Sequence, residues 1–337
     1  MRLGARWMAV ALLVAGCRES SPSGATTIAL PDGRPGIGFD DLKFSPTCGV
    51  LAPGGRSGNL DLIDPVTHAV TAIGGFSMEP IHFAGHDQGA TAVDEGGGFF
   101  FVTDRTTKKL YVVDAVSRQI VGSAAVATVP DYVRYVPQTN EVWITEPDAE
   151  QLEVFTLAGS QPTHAAFISA LGGPESLVID KTRDRAYTHL WGGGSISVDV
   201  RTRAIVAQWS NGCSGSRGIA LDEQRGFLFA GCDEGRGTVA DVTNGGAMLG
   251  TLDVPAHGVD VIDYSPSLGH LYLPGQSNGT MAVVGVSAAG QLSLLGTTPT
   301  VGGAHCVVAD DRGNAYVCDP DNGDLIVFTD TLPKSGP

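Results

Sequence analysis

Basic residues are few in this sequence. The 337 residues include 21 Lys and Arg against 36 Asp and Glu, for a formal net charge of −15. A surface with this excess of negative charge repels phosphate backbones and anionic lipid headgroups. The composition therefore disfavours a nucleic-acid-binding protein, and we expect the acidic residues mainly to keep the protein soluble.

Motifs of several enzyme classes are also missing. No stretch matches the GxGxxG or P-loop patterns that cradle phosphates, and no Ser/His/Asp order typical of a nucleophilic hydrolase stands out. The segment Asp319–Asp324 resembles a calcium loop, but its glycine comes one place early, and Asn322-Gly323 predicts a tight hairpin turn instead. We therefore predict no catalytic residue and no assigned cofactor.

No apolar run is long enough for a transmembrane helix, which needs about 20 residues. Arg2 and Arg6 precede a short apolar run from Trp7 to Ala15, and this order is typical of an export signal. The run ends in Leu13-Val14-Ala15-Gly16-Cys17, which resembles the lipobox of bacterial lipoproteins, although Val14 stands where Leu is usual.

This resemblance implies that residues 1–16 are a signal peptide and that Cys17 carries a lipid. Residues 17–25 would then form a flexible tether. The implied location is the bacterial cell envelope, with the lipid as the only attachment to the membrane. An ordinary signal peptide with an incidental cysteine is the alternative.

The body of the chain is a repeat. Residues 216–254 predict one antiparallel meander of four short strands separated by turn residues. Similar copies recur at intervals of roughly 40 to 50 residues. Their first strands are predicted to begin near Asp40, Gly89, Asp131, Glu175, Arg217, Asp260 and His305. The pattern predicts an all-β fold, a seven-bladed β-propeller of four-stranded antiparallel blades over residues 26–332, followed by a tail at 333–337.

The seventh copy has no fourth strand of its own. After its third strand, Leu325–Thr329, only a few residues remain, so we predict that Thr26–Leu30 completes this blade, closes the ring and removes an exposed edge. A long insertion from Gly75 to Gly89 separates the first two copies. It should form a loop between blades, where binding residues are often found.

Three stretches carry a family resemblance: FSPTCGVLAP with LDLIDPVTHAVTAIG, FFFVTDRTTKKLYVVDAVSRQIVGS, and YVPQTNEVWITEP. They resemble the YVTN-type repeats of seven-bladed propellers such as the bacterial YncE-like proteins, over roughly Ile37 to Thr329. The literal Tyr-Val-Thr-Asn is absent. The resemblance implies an exported, non-enzymatic binding protein. Some members have nucleic-acid affinity, which the acidic charge of this chain argues against.

Equivalent positions at the starts of the inner strands form a ring around the mouth of a propeller channel. The ring here is rich in charge and is the predicted ligand-binding site: Asp40, Asp131, Glu175, Arg217, Asp260 and His305. Three interpretations stay open. The ring binds a small ligand, it binds a divalent cation such as Ca²⁺, or it caps solvated strand ends, with Arg217 neutralising Glu175 and Asp260.

A second candidate set consists of loop residues, namely Glu79, His82, His86 and His257, whose imidazoles and carboxylate suit Zn²⁺ or a transition metal. The alternative function is a metal-dependent hydrolase of the lactonase or gluconolactonase propeller type, in which Arg217 and His305 would polarise and deprotonate. The ring lacks the Asn of such sites. We expect a monomeric binding or scaffold protein whose partner is an envelope protein or a small ligand.

Six cysteines occur in a chain that we expect to be exported, and export permits disulfides. Cys306 and Cys318 fall opposite each other on one predicted hairpin, so we predict a bond between them. Cys213 and Cys232 bracket the corresponding hairpin of blade five and would bond if the intervening loop folds back. Cys48 then has no partner. Small buried thiols are the alternative for all four.

Overall fold

The computed structural model describes residues 24–80 and 85–335, and over these residues the fold is a seven-bladed β-propeller. Seven four-stranded antiparallel sheets are present, and each inner strand contacts the inner strand of the next blade around a closed ring. The predicted signal peptide, Cys17 and His82 lie outside the described residues. No helix in the described part of the chain has the length and apolar character needed to cross a bilayer.

Each blade is a meander of four strands that are consecutive in sequence, except the last. Blade one holds β2 (Lys43–Ser45), β3 (Gly49–Pro53), β4 (Asn59–Ile63) and β5 (Val70–Gly74); blade two holds β6 (Ala90–Gly96), β7 (Phe99–Asp104), β8 (Lys109–Asp114) and β9 (Ile120–Ala125). Blade three holds β10 (Val133–Val136), β11 (Glu141–Glu146), β12 (Gln151–Ala158) and β13 (Gln161–Ser169); blade four holds β14 (Val178–Asp180), β15 (Arg185–Leu190), β16 (Gly194–Asp199) and β17 (Ile205–Ser210).

The remaining blades continue the same order. Blade five holds β18 (Ser216–Asp222), β19 (Phe227–Cys232), β20 (Arg236–Asp241) and β21 (Ala247–Asp253); blade six holds β22 (Asp263–Ser265), β23 (His270–Gly275), β24 (Thr280–Val286) and β25 (Leu292–Pro299). Blade seven holds β26 (Val307–Ala309), β27 (Asn314–Asp319), β28 (Asp324–Thr329) and the first strand of the chain, β1 (Ala25–Ala29). The described part of the chain also contains two single-turn 3₁₀ helices, Pro147–Ala149 and Val242–Asn244.

The N-terminal strand closes the ring, as predicted. β1 pairs antiparallel with β28, from Ala25 opposite Phe328 to Ala29 opposite Asp324. Ile28 is the buried member of this strand. The predicted turn at Asn322-Gly323 is also present between β27 and β28. Gly323 has φ of 76°, and a Cβ there would lie 2.1 Å from the backbone N of Arg34, so the segment that follows β1 packs directly on this turn.

The core lies between the blades, because each sheet buries apolar side chains on both faces. Trp143 and Phe101 are fully buried, and the Phe101 ring stacks on Tyr135 of the next blade with centroids 5.4 Å apart. A single four-stranded sheet has no other way to cover both faces. The interblade packing therefore holds the channel walls, and the residues at their ends, in fixed positions.

Both predicted disulfides are present. Cys306 and Cys318 are bonded across the first hairpin of blade seven with Cα atoms 5.5 Å apart, and Cys213 and Cys232 are bonded with Cα atoms 5.3 Å apart. Ser216 pairs with Cys232 in the β18–β19 ladder, so the loop before it folds back to bring Cys213 into reach. Cys48 is free and half-buried.

In five of the seven blades, over the described residues, the inner strand begins two or three residues later than the sequence predicts. Asp40, Glu175 and Asp260 each precede the paired inner strand by three residues, and Asp131 and His305 precede it by two. In blades one and six this short segment bonds to the neighbouring blade: Asp41 N donates to Thr91 O in blade two, and Val261 N donates to His305 O in blade seven. Of the predicted ring, only Arg217 lies within a strand.

Candidate functional site

The predicted ring residues meet at one mouth of the central channel. Asp131, Glu175, Arg217 and Asp260 line a cavity of about 300 Å³, which we call the channel-mouth cavity. Asp40 and His305 are buried, and both contact or stack on His86, which lines the cavity. The structure thus brings all six residues together, around a volume that suits a small group.

Arg105 connects two ring carboxylates and was not predicted. Its Nη2 donates to Asp40 Oδ2 at 2.7 Å and also pairs with Asp131 Oδ1. His86 Nδ1 lies 3.1 Å from the same Asp40 oxygen. One buried guanidinium and one imidazole thus serve two buried carboxylates, which is the pairing that a buried charge requires.

Because they share these partners unequally, Asp40 and Asp131 have very different pKa values. Burial alone would raise the pKa of Asp40, but His86 and Arg105 outweigh it and hold that pKa well below its usual range. Burial raises the pKa of Asp131 well above its usual range, because Asp40 and other nearby carboxylates add to the rise and Arg105 only partly opposes it. Burial would lower the pKa of His86, but Asp40 raises it overall, so the charged imidazolium is favoured.

Glu175 has two partners of its own. Arg217 Nη1 donates to Glu175 Oε1 at 2.9 Å, and the indole N–H of Trp191 donates to Oε2. Arg217 makes no ion pair with Asp260, so the predicted neutralisation holds for only one of the two carboxylates. Trp191 is 39% exposed and lines the cavity beside this pair.

Asp260 is the ring carboxylate without a hydrogen bond among the described residues. Its closest cation is His86, whose Nε2 lies 4.0 Å from Asp260 Oδ2. Two further carboxylates, Asp148 and Asp233, are exposed at the rim of the cavity. The cavity lining as a whole holds five carboxylates against two guanidiniums and one imidazole. Negative charge is therefore in excess even when His86 is charged and Asp131 holds a proton.

The geometry fits a metal ion poorly. Ligand atoms of Asp40, His86 and His305 lie within 4.8 Å of one another. However, His305 directs Nδ1 at Gly303 O, 2.6 Å away, and Nε2 at Phe39 O, 2.8 Å away. A ring nitrogen that donates to a carbonyl has no lone pair to offer a metal. Asp40 is already paired with Arg105, whose positive charge would repel a cation.

The second predicted set of metal ligands consists of Glu79, His82, His86 and His257, and His82 lies outside the described residues. His86 contacts Asp40 and stacks on His305 with ring centroids 4.9 Å apart, so it joins the ring instead of a separate site. His257 and Glu79 are not part of any cluster of potential metal ligands in the described residues.

A hydrolase-like motif that was not predicted, G-x-S-x-G, also occurs at Gly275–Gly279. It forms the hairpin turn between β23 and β24, whereas a nucleophile of this pattern lies on a strand-to-helix turn. The hydroxyl of Ser277 makes no hydrogen bond within residues 24–80 and 85–335. This pattern therefore does not support a catalytic serine.

The cavity residues that were not predicted share one position in the repeat. In blades two to six, the residue directly after the second strand lines the channel-mouth cavity: Arg105, Pro147, Trp191, Asp233 and Gln276. The ends of second strands and the starts of first strands meet at the same face, because adjacent strands are antiparallel. Aligning the copies at both positions identifies the mouth.

Comparisons with solved structures show the same fold at low sequence identity. The β-propeller domain of Myceliophteria thermophila Cps50 (Swd1) superposes with a TM-score of 0.75 at 11% identity, over 91% of this chain and 99% of that one. A chain of the Mitotic Checkpoint Complex gives 0.72 at 12%, over 98% and 97%. A chain of Kuenenia stuttgartiensis Hydrazine Synthase gives 0.72 at 13%, over 89% and 97%.

Protein-family models and curated proteins give no match to this chain. At identities this low, the likeness to solved structures establishes the propeller fold alone. Function has to be argued from the channel-mouth cavity.

Proposed function

We propose that this protein is an exported, lipid-anchored, non-enzymatic propeller that binds a partner through a cationic group at its channel mouth. The observation that carries the proposal is the excess of carboxylates in the channel-mouth cavity, where Asp260 has no hydrogen-bond partner among the described residues and the Trp191 ring is exposed. An ammonium or guanidinium group would complete the charge balance of the site, and an indole face attracts such cations.

Export and lipid attachment rest on the N-terminal sequence together with the disulfides. Cys17 follows a lipobox-like run, and the two disulfides of the body are of the kind that persists in an oxidising compartment. A YncE-like exported binding protein fits these features. The matching chain of the Mitotic Checkpoint Complex is part of a protein assembly, which supports a protein as the partner.

The potential metal ligands of the ring already have other partners, and this favours a binding protein over the lactonase-type hydrolase. A metal-dependent hydrolase needs a metal with an open coordination position. Here Asp40, Asp131 and Glu175 are each paired with an arginine, and both nitrogens of His305 face carbonyl oxygens.

Binding of a cationic group is tested by calorimetry with two capped tripeptides, acetyl-Gly-Arg-Gly-amide and acetyl-Gly-Glu-Gly-amide. We expect saturable binding of the arginine peptide only. Asp260→Asn should weaken it about tenfold or more, because a charge-assisted contact is lost. Asp321→Asn is the matched control, because Asp321 is exposed at the turn after β27, outside the cavity. Equal loss in both variants would show a general charge effect and contradict the proposed site.

Lipid attachment is tested separately with Cys17→Ser. Wild-type protein should incorporate labelled palmitate in cells and sediment with membranes. The variant should incorporate none and remain in the supernatant. Membrane association that persists without label would contradict the anchor while leaving the channel-mouth site intact.

A further inference from the structure

The opposite end of the channel holds a second and larger cavity. It has a volume of about 570 Å³ and lies along the inner strands and the turns that follow them, for example at Pro46, Lys181 and Pro266. The channel-mouth residues precede the same strands, so the two cavities lie at opposite ends of the channel. We call this second cavity the lower chamber. Its volume falls in the range of small-molecule sites.

The walls of the lower chamber leave apolar side chains uncovered. Phe44, Val178, Ile179 and Leu221 line it, and each is only half-buried. They come from the inner strands of blades one, four and five. Apolar side chains from several blades that line one open cavity form a surface that an apolar ligand would cover, with a gain of about 25 cal/mol per Å².

Tyr132 supplies a polar group to this chamber. It is 4% exposed and lines the chamber, and its hydroxyl has no hydrogen-bond partner in the part of the chain that the structure describes. Burial raises the pKa of Tyr132 well above its usual range, so the hydroxyl keeps its proton and can donate. The Tyr132 hydroxyl is not among the fully buried atoms that lack a partner, so it is open to the chamber, where a ligand can accept its hydrogen bond.

Several charged groups that line the chamber with Tyr132 have partners of their own. The guanidinium of Arg134 lies over the Tyr132 ring, 5.0 Å from its centroid, and binds both carboxylate oxygens of Asp41. Asp263 accepts from the backbone N of Ala309 at 2.8 Å, and Lys43 has Asp94 at 3.9 Å. Arg134 and Asp41 neutralise each other beside the Tyr132 ring, so this part of the wall suits an uncharged ligand.

We infer that the lower chamber is a binding site for an uncharged small molecule with an apolar body and a carbonyl oxygen. The body lies against Ile179, Leu221 and Phe44, and the carbonyl accepts the hydrogen bond of Tyr132. The site is separate from the channel-mouth cavity and does not depend on its proposed function.

The test uses two neutral fluorescent dyes with purified full-length protein. Prodan carries a ketone oxygen, and N-phenyl-1-naphthylamine lacks an acceptor oxygen. We expect saturable binding of prodan with one site per chain. Ile179→Trp places a larger side chain where the body of the ligand is expected to lie and should weaken binding of both dyes about tenfold or more. Ile205→Trp is the matched control, because Ile205 lies on the outer strand of the same blade and is 43% exposed.

Tyr132→Phe removes only the hydroxyl. It should weaken prodan binding about threefold to tenfold and leave the other dye unchanged. Asp260→Asn, at the opposite end of the channel, should leave prodan binding unchanged. The proposal is overturned if prodan does not bind saturably, if Ile179→Trp binds like wild type, or if Tyr132→Phe weakens both dyes equally. If Ile179→Trp does not fold, the comparison of the two dyes in Tyr132→Phe still decides.

Discussion

Arg105 in blade two donates a hydrogen bond of 2.7 Å to Asp40 in blade one, 65 residues earlier in the chain. The same guanidinium pairs with Asp131 in blade three. Only 11% of the Arg105 side chain is exposed, so its charge and those of its partners depend on each other. Three consecutive blades are thus joined at the channel mouth by one side chain.

Replacing Arg105 with Met should destabilise the protein by about 3 kcal/mol, because it leaves buried Asp131 without a cation and Asp40 with His86 alone. Urea unfolding measures the loss. Arg201→Met is the control, since Arg201 forms an exposed pair with Asp184 and should cost less than about 1 kcal/mol. Adding Asp131→Asn to Arg105→Met should recover part of the stability, and an additive further loss would contradict the pairing.

Removing the blade-five disulfide should also destabilise the protein. The double variant Cys213→Ser with Cys232→Ser opens a loop of 19 residues, which corresponds to about 3 kcal/mol of unfolding free energy. Thermal unfolding with and without reductant is the measurement. Cys48→Ser changes the free cysteine and should have little effect. A midpoint that reductant does not lower in the wild type would argue against the bonds.

Asp61 in β4 should make stability fall as pH rises. It is fully buried, neither carboxylate oxygen has a hydrogen-bond partner in the described residues, and burial together with Asp32 raises its pKa to about 7. Between pH 4 and 7 the folded state therefore holds a proton that the unfolded state has released. Folding is penalised as pH rises through this window, and the penalty is complete above pH 7.

Chemical denaturation at pH 5 and pH 8 measures this effect. Asp61→Asn should stabilise the protein by about 2 kcal/mol more at pH 8 than at pH 5, because the amide never ionises. Asp321→Asn, on the exposed turn of blade seven, should show no such difference. A stabilisation by Asp61→Asn that is equal at both pH values would contradict the assignment.

The closing strand β1 should stabilise the folded protein mainly through its buried residue, Ile28. Ile28→Ala removes the buried side chain of β1 and should cost about 2 to 4 kcal/mol. Thr27→Ala, on the exposed face of the same strand, should cost well under 1 kcal/mol. Guanidinium unfolding compares the two, and similar losses would mean that β1 is not packed as described.

Metal ions should not bind at the channel mouth. Calorimetric titration with Ca²⁺, Mg²⁺ and Zn²⁺ is expected to give no saturable heat, because Asp40 is paired with Arg105 and His305 has both ring nitrogens on carbonyl oxygens. Saturable Zn²⁺ binding that His86→Ala removes would contradict this and would revive the hydrolase alternative.

The repeat made most of the fold predictable. Seven copies with turn residues between short β-branched strands fixed the number of blades, and the missing fourth strand after Thr329 predicted the closure by β1. The bond from Cys306 to Cys318 followed from their opposite places on one hairpin. Strand starts were less predictable, since whether Asp41 N bonds to its own blade or to Thr91 O of the next depends on ring curvature.

Only one of the two sets of residues that line the candidate site was predictable from the sequence, namely the residues that precede the first strands. Ring positions at the first strands located Asp131, Glu175 and Asp260, because those strands always border the channel. Arg105 and Trp191 follow the second strands, and their reach into the cavity depends on long side chains bending over the mouth. The pairing of Arg105 with Asp40 joins different blades, so no spacing within one repeat encodes it.

The completion of blade seven by the first strand of the propeller predicts an order in which the blades fold. β1 is made first and β28 nearly last, yet they are neighbours in the finished molecule. Blades one to six need only strands that are adjacent in sequence, so they are able to form early from local contacts. The first strand must stay unpaired until the last blade arrives. Ring closure should therefore be the final, slowest step of folding, and a chain truncated before β28 should leave β1 without a partner.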